Sequence, residues 1–261
     1  MEYLYGPVPS RRLGLSLGID LIPYKICSFD CIYCECGSTT NLSNKRKEFK
    51  PVDKIIEELD EYLKDKPELD YITFSGSGEP TLYLHIGKIV DFLNEKYPEY
   101  DTALLTNSSL LSRKEVRGEI KNLDLIVPSL DSVIEENFQK INRPHSDIKL
   151  QDIIDGLIKL RKEFKGKIYL EVFIIPGVND TKKEYQKFNE IIKKIKPDRV
   201  QLNTLDRPGT EDWVEPASEE ELKRAVDIIG KKAEIIGKYA PTKKKSGISH
   251  AVKKRIIETI T

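Results

Sequence analysis

Short apolar runs alternate with amphipathic stretches along most of this chain. Six runs have the length and β-branched content of strands, and they cover residues 15–22, 71–75, 102–106, 125–129, 167–175 and 200–204. Between them, apolar residues recur at every third or fourth position, which predicts helices over residues 51–65, 82–96, 112–119, 134–141, 150–164, 181–195 and 218–232. The last two helices open on Thr181-x-x-Glu184 and Ser218-x-x-Glu221, which we interpret as capping boxes.

Strands that alternate with helices form a parallel sheet whose outer face the helices cover. The number of repeats favours a partial (β/α)6 TIM-like barrel over the eight repeats of a complete barrel. In such a fold the chemistry collects at the C-terminal ends of the strands. Cysteine-rich, glycine-rich and polar segments follow the predicted strands, so the sequence places a candidate site at one edge of the sheet.

The formal net charge of +0 is the sum of an acidic part and a basic part of the chain. Residues 231–261 contain nine Lys and Arg against two Glu, so the residues before them are net acidic. We divide the chain into a barrel domain, residues 1–236, and a basic linker with a short helix, residues 237–261, which is either a docking tail or the start of a truncated domain. With no apolar run of membrane-helix length and no signal-peptide pattern, we expect a cytoplasmic protein without membrane contact.

All four cysteines lie within residues 27–36, and three of them are spaced as Cys27-x-x-x-Cys31-x-x-Cys34. Clustered thiols in a chain of this length indicate a metal site in a reducing compartment rather than a disulfide framework. Three thiolates without a fourth ligand nearby suit an iron–sulfur cubane with one open iron, and a structural zinc ion held by all four cysteines is the alternative. Cys36 is left over as a spare thiol, a reactive residue or a small core residue.

These cysteines, with Tyr33 just before the last one, resemble the radical S-adenosylmethionine (SAM) superfamily. The longer string GPVPSRRLGLSLGIDLIPYKICSFDCIYC, the INRPH segment at residues 141–145 and QLNTLDRPGT at residues 201–210 are similar to a subgroup related to the wyosine-forming tRNA enzymes. The resemblance implies a [4Fe–4S] cluster on Cys27, Cys31 and Cys34 that cleaves SAM to methionine and a 5′-deoxyadenosyl radical. No cysteine precedes Cys27 to hold the second cluster that wyosine-type enzymes use.

The resemblance also implies the residues that contact SAM. The segment Gly76-Ser77-Gly78-Glu79-Pro80 is similar to the superfamily's GGEP segment, with Ser77 in place of a glycine, and would face the SAM ammonium. Polar residues expected at the methionyl and ribose hydroxyls are Asn107, Ser129 and Asp131, and Arg143 is expected at the SAM carboxylate. Apolar walls and backbone groups for adenine are expected from Ile175, Leu202 and Asn203. No catalytic side chain is assigned; weaker candidates for substrate contact are Arg11, Arg12, His145 and Trp213.

The sequence therefore predicts a radical SAM enzyme whose substrate is unknown. Such an enzyme implies a reductase, flavodoxin or ferredoxin as electron donor, and the basic tail leaves RNA or another nucleic acid open as a substrate. One alternative is a glycyl-radical-type activase that acts on a partner protein. A second alternative, from another class, is a non-catalytic cluster or zinc protein that binds nucleic acid.

Overall fold

The computed structural model describes residues 1–10 and 12–237. The strands of this part, in chain order, are β1 Leu4–Ser10, β2 Gly14–Ile19, β3 Ile26–Cys27, β4 Asn41–Leu42, β5 Tyr71–Phe74, β6 Thr102–Thr106, β7 Leu125–Pro128, β8 Lys167–Phe173, β9 Arg199–Asn203 and β10 Ala233–Ile235. Its α-helices are α1 Val52–Leu63, α2 Ile86–Lys96, α3 Lys114–Glu119, α4 Glu135–Asn142, α5 Leu150–Glu163, α6 Lys182–Ile195 and α7 Glu219–Ile229.

The main sheet has eight strands in the order β1-β2-β5-β6-β7-β8-β9-β10, and β3 pairs with β4 in a separate parallel ribbon. Every pair from β2 to β10 is parallel, and β1 alone runs antiparallel to its neighbour β2. Helices connect consecutive parallel strands, and their apolar faces pack on the outside of the sheet. This architecture confirms the predicted partial TIM-like barrel, with all six predicted strands present as β2 and β5 to β9.

Two strands at the edges of the sheet were not predicted. The first, β1, contains Pro7 and Pro9, which have no N–H group to donate to a neighbouring strand. Proline argues against a strand in the sequence, but an edge strand tolerates it. The last, β10, is only three residues long and follows two lysines. The helix predicted from residue 82 begins instead at Ile86, because a 3-10 turn, Pro80–Leu82, comes first.

The core lies between the sheet and the helices. The α1 helix shows how the sequence builds it, because its buried residues Val52, Ile55, Leu59 and Leu63 recur every three or four positions and form one apolar stripe. The same spacing buries Tyr185, Phe188, Ile192 and Ile195 on α6. Both stripes belong to one continuous hydrophobic cluster, so the barrel and its helices form a single packed unit.

One of the two predicted capping boxes is complete and the other is half formed. Ser218 and Glu221 make both reciprocal hydrogen bonds at the start of α7. Thr181 caps α6 by accepting from the Glu184 N–H, but the Glu184 carboxylate is buried and accepts from Ser132 Oγ at 2.6 Å and Val133 N at 2.8 Å instead. The predicted hydrogen bond from the Thr181 N–H to the Glu184 side chain is therefore wrong, because this side chain joins α6 to the loop after β7 instead.

Two helical glycines provide a matched test of packing. A methyl group at Gly156 on α5 would lie 2.6 Å from the Ser112 backbone nitrogen, whereas Gly118 on α3 has nothing within 4 Å of that position. We expect Gly156→Ala to lower the free energy of unfolding by about 1–3 kcal/mol, because the clash is with backbone. Gly118→Ala should raise it by about 0.5–1 kcal/mol through helix propensity. Urea unfolding of both variants checks the pair, and a stabilised Gly156→Ala protein would contradict the packing.

The basic segment predicted over residues 237–261 falls almost wholly outside the described residues, as does Arg11. The domain boundary at residue 236 therefore stays a prediction. No helix within residues 1–10 and 12–237 is long and apolar enough to cross a membrane.

Candidate functional site

The cysteine loop follows β2 at the C-terminal edge of the sheet. It is closed by the short β3–β4 ribbon and by Thr39, whose N–H donates to Asp30 Oδ1 at 2.7 Å and whose hydroxyl donates to the Phe29 carbonyl at 2.7 Å. Ser43 N donates to the Cys27 carbonyl at 2.9 Å and anchors the end of the loop. The three predicted ligand cysteines therefore lie on a loop with a fixed path.

Segments far apart in the sequence converge on this loop. The INRPH segment runs along it, with Ile32 N donating to the Ile141 carbonyl at 2.9 Å and His145 N donating to the Ser28 carbonyl at 2.9 Å. Gly209 also packs against this loop, so closely that a methyl group there would lie 2.9 Å from the Tyr33 backbone. The INRPH and QLNTLDRPGT segments therefore both pack against the cysteine loop and hold it.

Each of the three cysteine sulfurs accepts a hydrogen bond from a side chain outside the ligand set. Lys25 Nζ lies 2.8 Å from Cys34 Sγ, Asn142 Nδ2 lies 3.4 Å from Cys31 Sγ, and Asn107 Nδ2 lies 3.5 Å from Cys27 Sγ. These donors come from the loop itself, from α4 and from the end of β6. Donors directed at the sulfurs act against burial, which by itself disfavours the thiolate form that binds metal.

The thiols themselves differ in their surroundings. Burial raises the pKa of Cys27 to about 12 and raises that of Cys31 well above its ordinary value. A hydrogen bond from Cys36, followed by the ammonium of Lys25, lowers the pKa of Cys34 below its ordinary value. Cys36 is exposed, and its Sγ lies 4.0 Å from the Gly76 carbonyl oxygen, so it borders the site without being enclosed by it.

The donor set fits an iron–sulfur cluster better than a zinc ion. Within the described part of the chain, no three His, Cys, Asp or Glu side chains are grouped tightly enough to hold one metal ion. An iron–sulfur cubane binds each cysteine at a different iron, so its ligands need not converge on a single point. The predicted ligands Cys27, Cys31 and Cys34 therefore offer the three thiols that such a cluster uses.

The glycine-rich segment after β5 packs against the start of the cysteine loop. Gly76 has a φ of +145°, and a methyl group there would lie 2.4 Å from Asp20 Oδ1, while Ser77 donates from its N–H and its hydroxyl to the same carboxylate at 3.2 and 2.9 Å. A methyl group at Gly78 would lie 2.0 Å from the Ile26 carbonyl oxygen. Close approach to protein atoms accounts for both glycines, and Ser77 in place of a glycine is explained by Asp20.

The carboxylate of Glu79 is buried and accepts hydrogen bonds from the protein, so it is not a charge exposed toward a ligand. Its Oε1 accepts from Thr81 N, Thr81 Oγ1 and Thr106 Oγ1 at 3.0, 2.6 and 2.6 Å, and its Oε2 accepts from Asn107 N at 2.7 Å. Burial raises the pKa of this carboxyl above its ordinary value, against the effect of the hydrogen bonds. The side chain thus joins the glycine-rich turn to the end of β6 and fixes the backbone of Asn107.

Asp131, after β7, holds three elements together. Its Oδ2 accepts from Tyr33 OH at 2.6 Å and Asn142 Nδ2 at 2.7 Å, and its Oδ1 accepts from Phe173 N at 3.1 Å. The Tyr33 ring stacks on Phe173 with centroids 3.9 Å apart. Burial raises the pKa of Asp131 to about 6 despite these donors. The carboxylate that the resemblance implies at ribose is therefore directed to the cysteine loop, α4 and β8.

The other polar residues expected at SAM lie at the same edge of the sheet with different partners. Asn107 Nδ2 also donates to Ser28 Oγ at 2.9 Å, and Ser129 lies just after β7, where its carbonyl accepts from Ser108 Oγ at 2.7 Å. Arg143 ends α4 in the left-handed region, with φ of 42°. Its guanidinium pairs with Glu211 at 2.6 Å, so a SAM carboxylate would have to displace or join that ion pair.

The residues expected at adenine separate into two groups. Ile175 belongs to a small apolar cluster with Ile32, Ile141 and Val214, directly beside the cysteine loop. Leu202 packs into the main core under the helices and is fully buried, so only its backbone could reach a ligand. Asn203 ends β9 and donates from Nδ2 to Glu171 Oε1 at 2.8 Å. Glu171 also pairs with Arg12.

Three residues of this site were missed by sequence reasoning: Asp20, Lys25 and Asn142. Asp20 had a detectable signal, because it is an acidic residue at the end of an apolar strand beside a ligand loop. Asn142 lies inside the INRPH segment, but the sequence of that segment does not show which group its amide faces. Lys25 gave no signal, because lysine is common in this chain and only the fold shows that this one is 2% exposed.

A cleft of about 820 Å³ lies at the opposite end of the barrel. It is lined by residues at or near the starts of strands, among them Tyr71, Asp101, Lys167 and Asp198. The cysteines and the glycine-rich segment are at the other end, as expected for a barrel of this kind.

Comparison with known proteins gives the same assignment. The family model described as the Radical SAM superfamily matches residues 21–188. The chain is 39% identical over 246 residues to a UPF0026 protein of Methanocaldococcus jannaschii, covering 92% of this chain and 76% of that protein. It is 42% identical over 222 residues to a protein of Brachyspira hyodysenteriae named GTPase Obg, covering 85% of this chain but only 32% of the length of that protein.

A solved structure shares the fold. The crystal structure of archaeal TYW1 superposes with a TM-score of 0.56 at 15% identity, covering 84% of this chain and 72% of that one. Identity at this level shows a common architecture and no more. The family match over residues 21–188 shows that this chain belongs to the radical SAM superfamily, whose enzymes use a [4Fe–4S] cluster and SAM.

Proposed function

We propose that this chain reductively cleaves SAM at a [4Fe–4S] cluster held by Cys27, Cys31 and Cys34, and uses the product radical on an organic substrate. The observation that carries the proposal is the loop itself, whose three sulfurs each accept a side-chain hydrogen bond at the edge of the barrel. When bound, the cluster supplies one electron that splits SAM into methionine and a 5′-deoxyadenosyl radical, which takes a hydrogen atom from the substrate.

The residues around the loop are assigned to hold SAM. We place the SAM ammonium at the backbone of Gly76, Ser77 and Gly78. Asp20 accepts hydrogen bonds from Ser77, and Glu79 joins this turn to the end of β6. Residues proposed for the methionyl and ribose groups are Asn107, Ser129 and Asp131, with Arg143 for the carboxylate and Ile175, Leu202 and Asn203 for adenine. The stacked pair of Tyr33 and Phe173 and the apolar cluster around Ile175 would exclude water from the reacting atoms.

The partners follow from the same chemistry. A reductase, flavodoxin or ferredoxin would deliver the electron. We propose a nucleic-acid substrate of the type that the wyosine-related subgroup suggests, engaged through the basic residues 237–261. The similarity of the INRPH and RPGT segments supports that subgroup, and an activase acting on a partner protein is the competing outcome.

The experiment is an anaerobic assay of the purified chain with SAM and dithionite. We expect a brown protein that releases equal amounts of methionine and 5′-deoxyadenosine. RNA that co-purifies and dissociates steeply as salt is raised would support the nucleic-acid substrate, because phosphate contacts release counterions. A colourless protein that contains zinc and leaves SAM intact would overturn the proposal.

A further inference from the structure

The side chain of Lys25 is buried beside the cysteine loop. It is 2% exposed, and its Nζ lies 2.8 Å from Cys34 Sγ and also donates to the Gly37 carbonyl. Its electrostatic partners are Cys34, Cys27 and Cys31. A buried ammonium is costly unless negative charge compensates it. In the cluster-bound form that we propose, the three cysteine sulfurs bind iron as thiolates and would supply that negative charge.

The other two sulfurs have neutral donors of fixed orientation. Asn142 Nδ2 donates to Asp131 Oδ2 at 2.7 Å, and this hydrogen bond orients the amide so that it also donates to Cys31 Sγ. The Asn107 amide is held between Ser28 Oγ at 2.9 Å and Ser109 N, which donates to Asn107 Oδ1 at 3.0 Å, and this directs it at Cys27. Because both amides are oriented by protein atoms, the three donors form a preorganised shell with one member for each sulfur.

Resting on the proposed function, we infer that Lys25, Asn142 and Asn107 raise the reduction potential of the cluster, with the buried charge of Lys25 contributing most. The step concerned is the gain of one electron from a reductase, flavodoxin or ferredoxin, which takes the cluster from its 2+ to its 1+ state; no bond or proton is exchanged with these side chains. The added electron increases the negative charge on the sulfurs. Hydrogen bonds and a positive charge at the sulfurs stabilise that reduced form, and hydrogen bonds to sulfur are among the known determinants of cluster potential.

Lys25 is a positioning residue in this proposal, so its test is a potential rather than an activity. We expect Lys25→Met and Lys25→Gln to lower the ratio of reduced to oxidised cluster at least tenfold at a fixed potential, a shift of about 59 mV for a one-electron couple. Lys25→Arg, which keeps the charge, should stay closer to wild type than either. Lys45→Met, which removes the charge of an exposed lysine, should leave the potential within twofold. The measurement is an EPR-monitored redox titration of protein with its iron and sulfide content determined.

Each outcome of the titration decides the inference. Neutral variants with the wild-type potential, or an arginine variant shifted as far as the neutral ones, would overturn it. If the Lys25 variants assemble no cluster, the Asn142→Leu variant is titrated instead. A reduction potential below that of the wild type supports the inference, and an unchanged potential refutes it. A wild-type chain that binds no cluster would instead refute the proposed function, which keeps the two failures separate.

Discussion

Cys31→Ala is expected to abolish both the iron–sulfur chromophore and the release of 5′-deoxyadenosine, while Cys36→Ala keeps both. The reason is the position of each thiol. Cys31 lies under the Asn142 amide at the centre of the loop, and a cluster left with two thiolates has lost a third of its protein ligands. Cys36 is exposed at the margin of the site, although it lies only five residues further along the chain.

The two cysteine variants are compared after anaerobic reconstitution with iron and sulfide. Iron content, visible absorption and the SAM cleavage products are measured on the same samples. Retention of a full cluster by Cys31→Ala would refute the ligand assignment. Loss of the cluster in Cys36→Ala but not in Cys31→Ala would indicate that Cys36, and not Cys31, is the third ligand.

Glu79→Gln is expected to lower the free energy of unfolding by about 1–3 kcal/mol, since one amide hydrogen pair must now face a backbone or hydroxyl donor. The carboxylate accepts four hydrogen bonds in this structure, and an amide oxygen can replace only one of its two oxygens. The Asn107 N–H or the Thr81 and Thr106 donors then lose their acceptor. Because these groups fix the proposed SAM edge, we also expect the dissociation constant for SAM to rise about tenfold, which corresponds to about 1.4 kcal/mol.

The matched control for Glu79 is Glu95→Gln, an exposed glutamate on α2. This change should alter stability by less than about 0.5 kcal/mol and leave SAM affinity unchanged. Urea unfolding and equilibrium dialysis with labelled SAM check both variants. Equal unfolding curves for the two would show that the buried carboxylate does not hold the turn.

Most of the fold could be predicted from the sequence because its elements have strong local signals. Strand β7 is a continuous apolar run, as expected for a strand buried on both faces, and helices such as α1 have a clear apolar stripe. Elements without such signals were missed. Pro7 and Pro9 break the pattern of β1, which exists because it pairs along one side with β2. The buried role of Glu184 was hidden because its spacing from Thr181 fits a capping box equally well.

In the candidate site, too, the features with a local sequence signal could be predicted and those that depend on contacts in space could not. The spacing of Cys27, Cys31 and Cys34 indicated a thiolate metal site without any structure, and the superfamily resemblance of this motif implied an iron–sulfur cluster. Spacing along the chain could not show what each polar side chain faces. Asp131 and Glu79 were expected near SAM, and only the structure shows that their carboxylates also accept hydrogen bonds from neighbouring strands and loops. Lys25 was not considered, because its burial depends on residues that surround it only after folding.

The sequence by itself was enough to predict the barrel class from its local apolar patterns and the superfamily from the resemblance of its cysteine motif, and it proposed Cys27, Cys31 and Cys34 as the ligands. The tertiary structure decided how the site is supported. It brought Asn107 and Asn142 from separate parts of the chain to two cysteine sulfurs and buried Lys25 at the third. Such contacts depend on directions and distances in space, which residue order fixes only through the packing of the whole barrel.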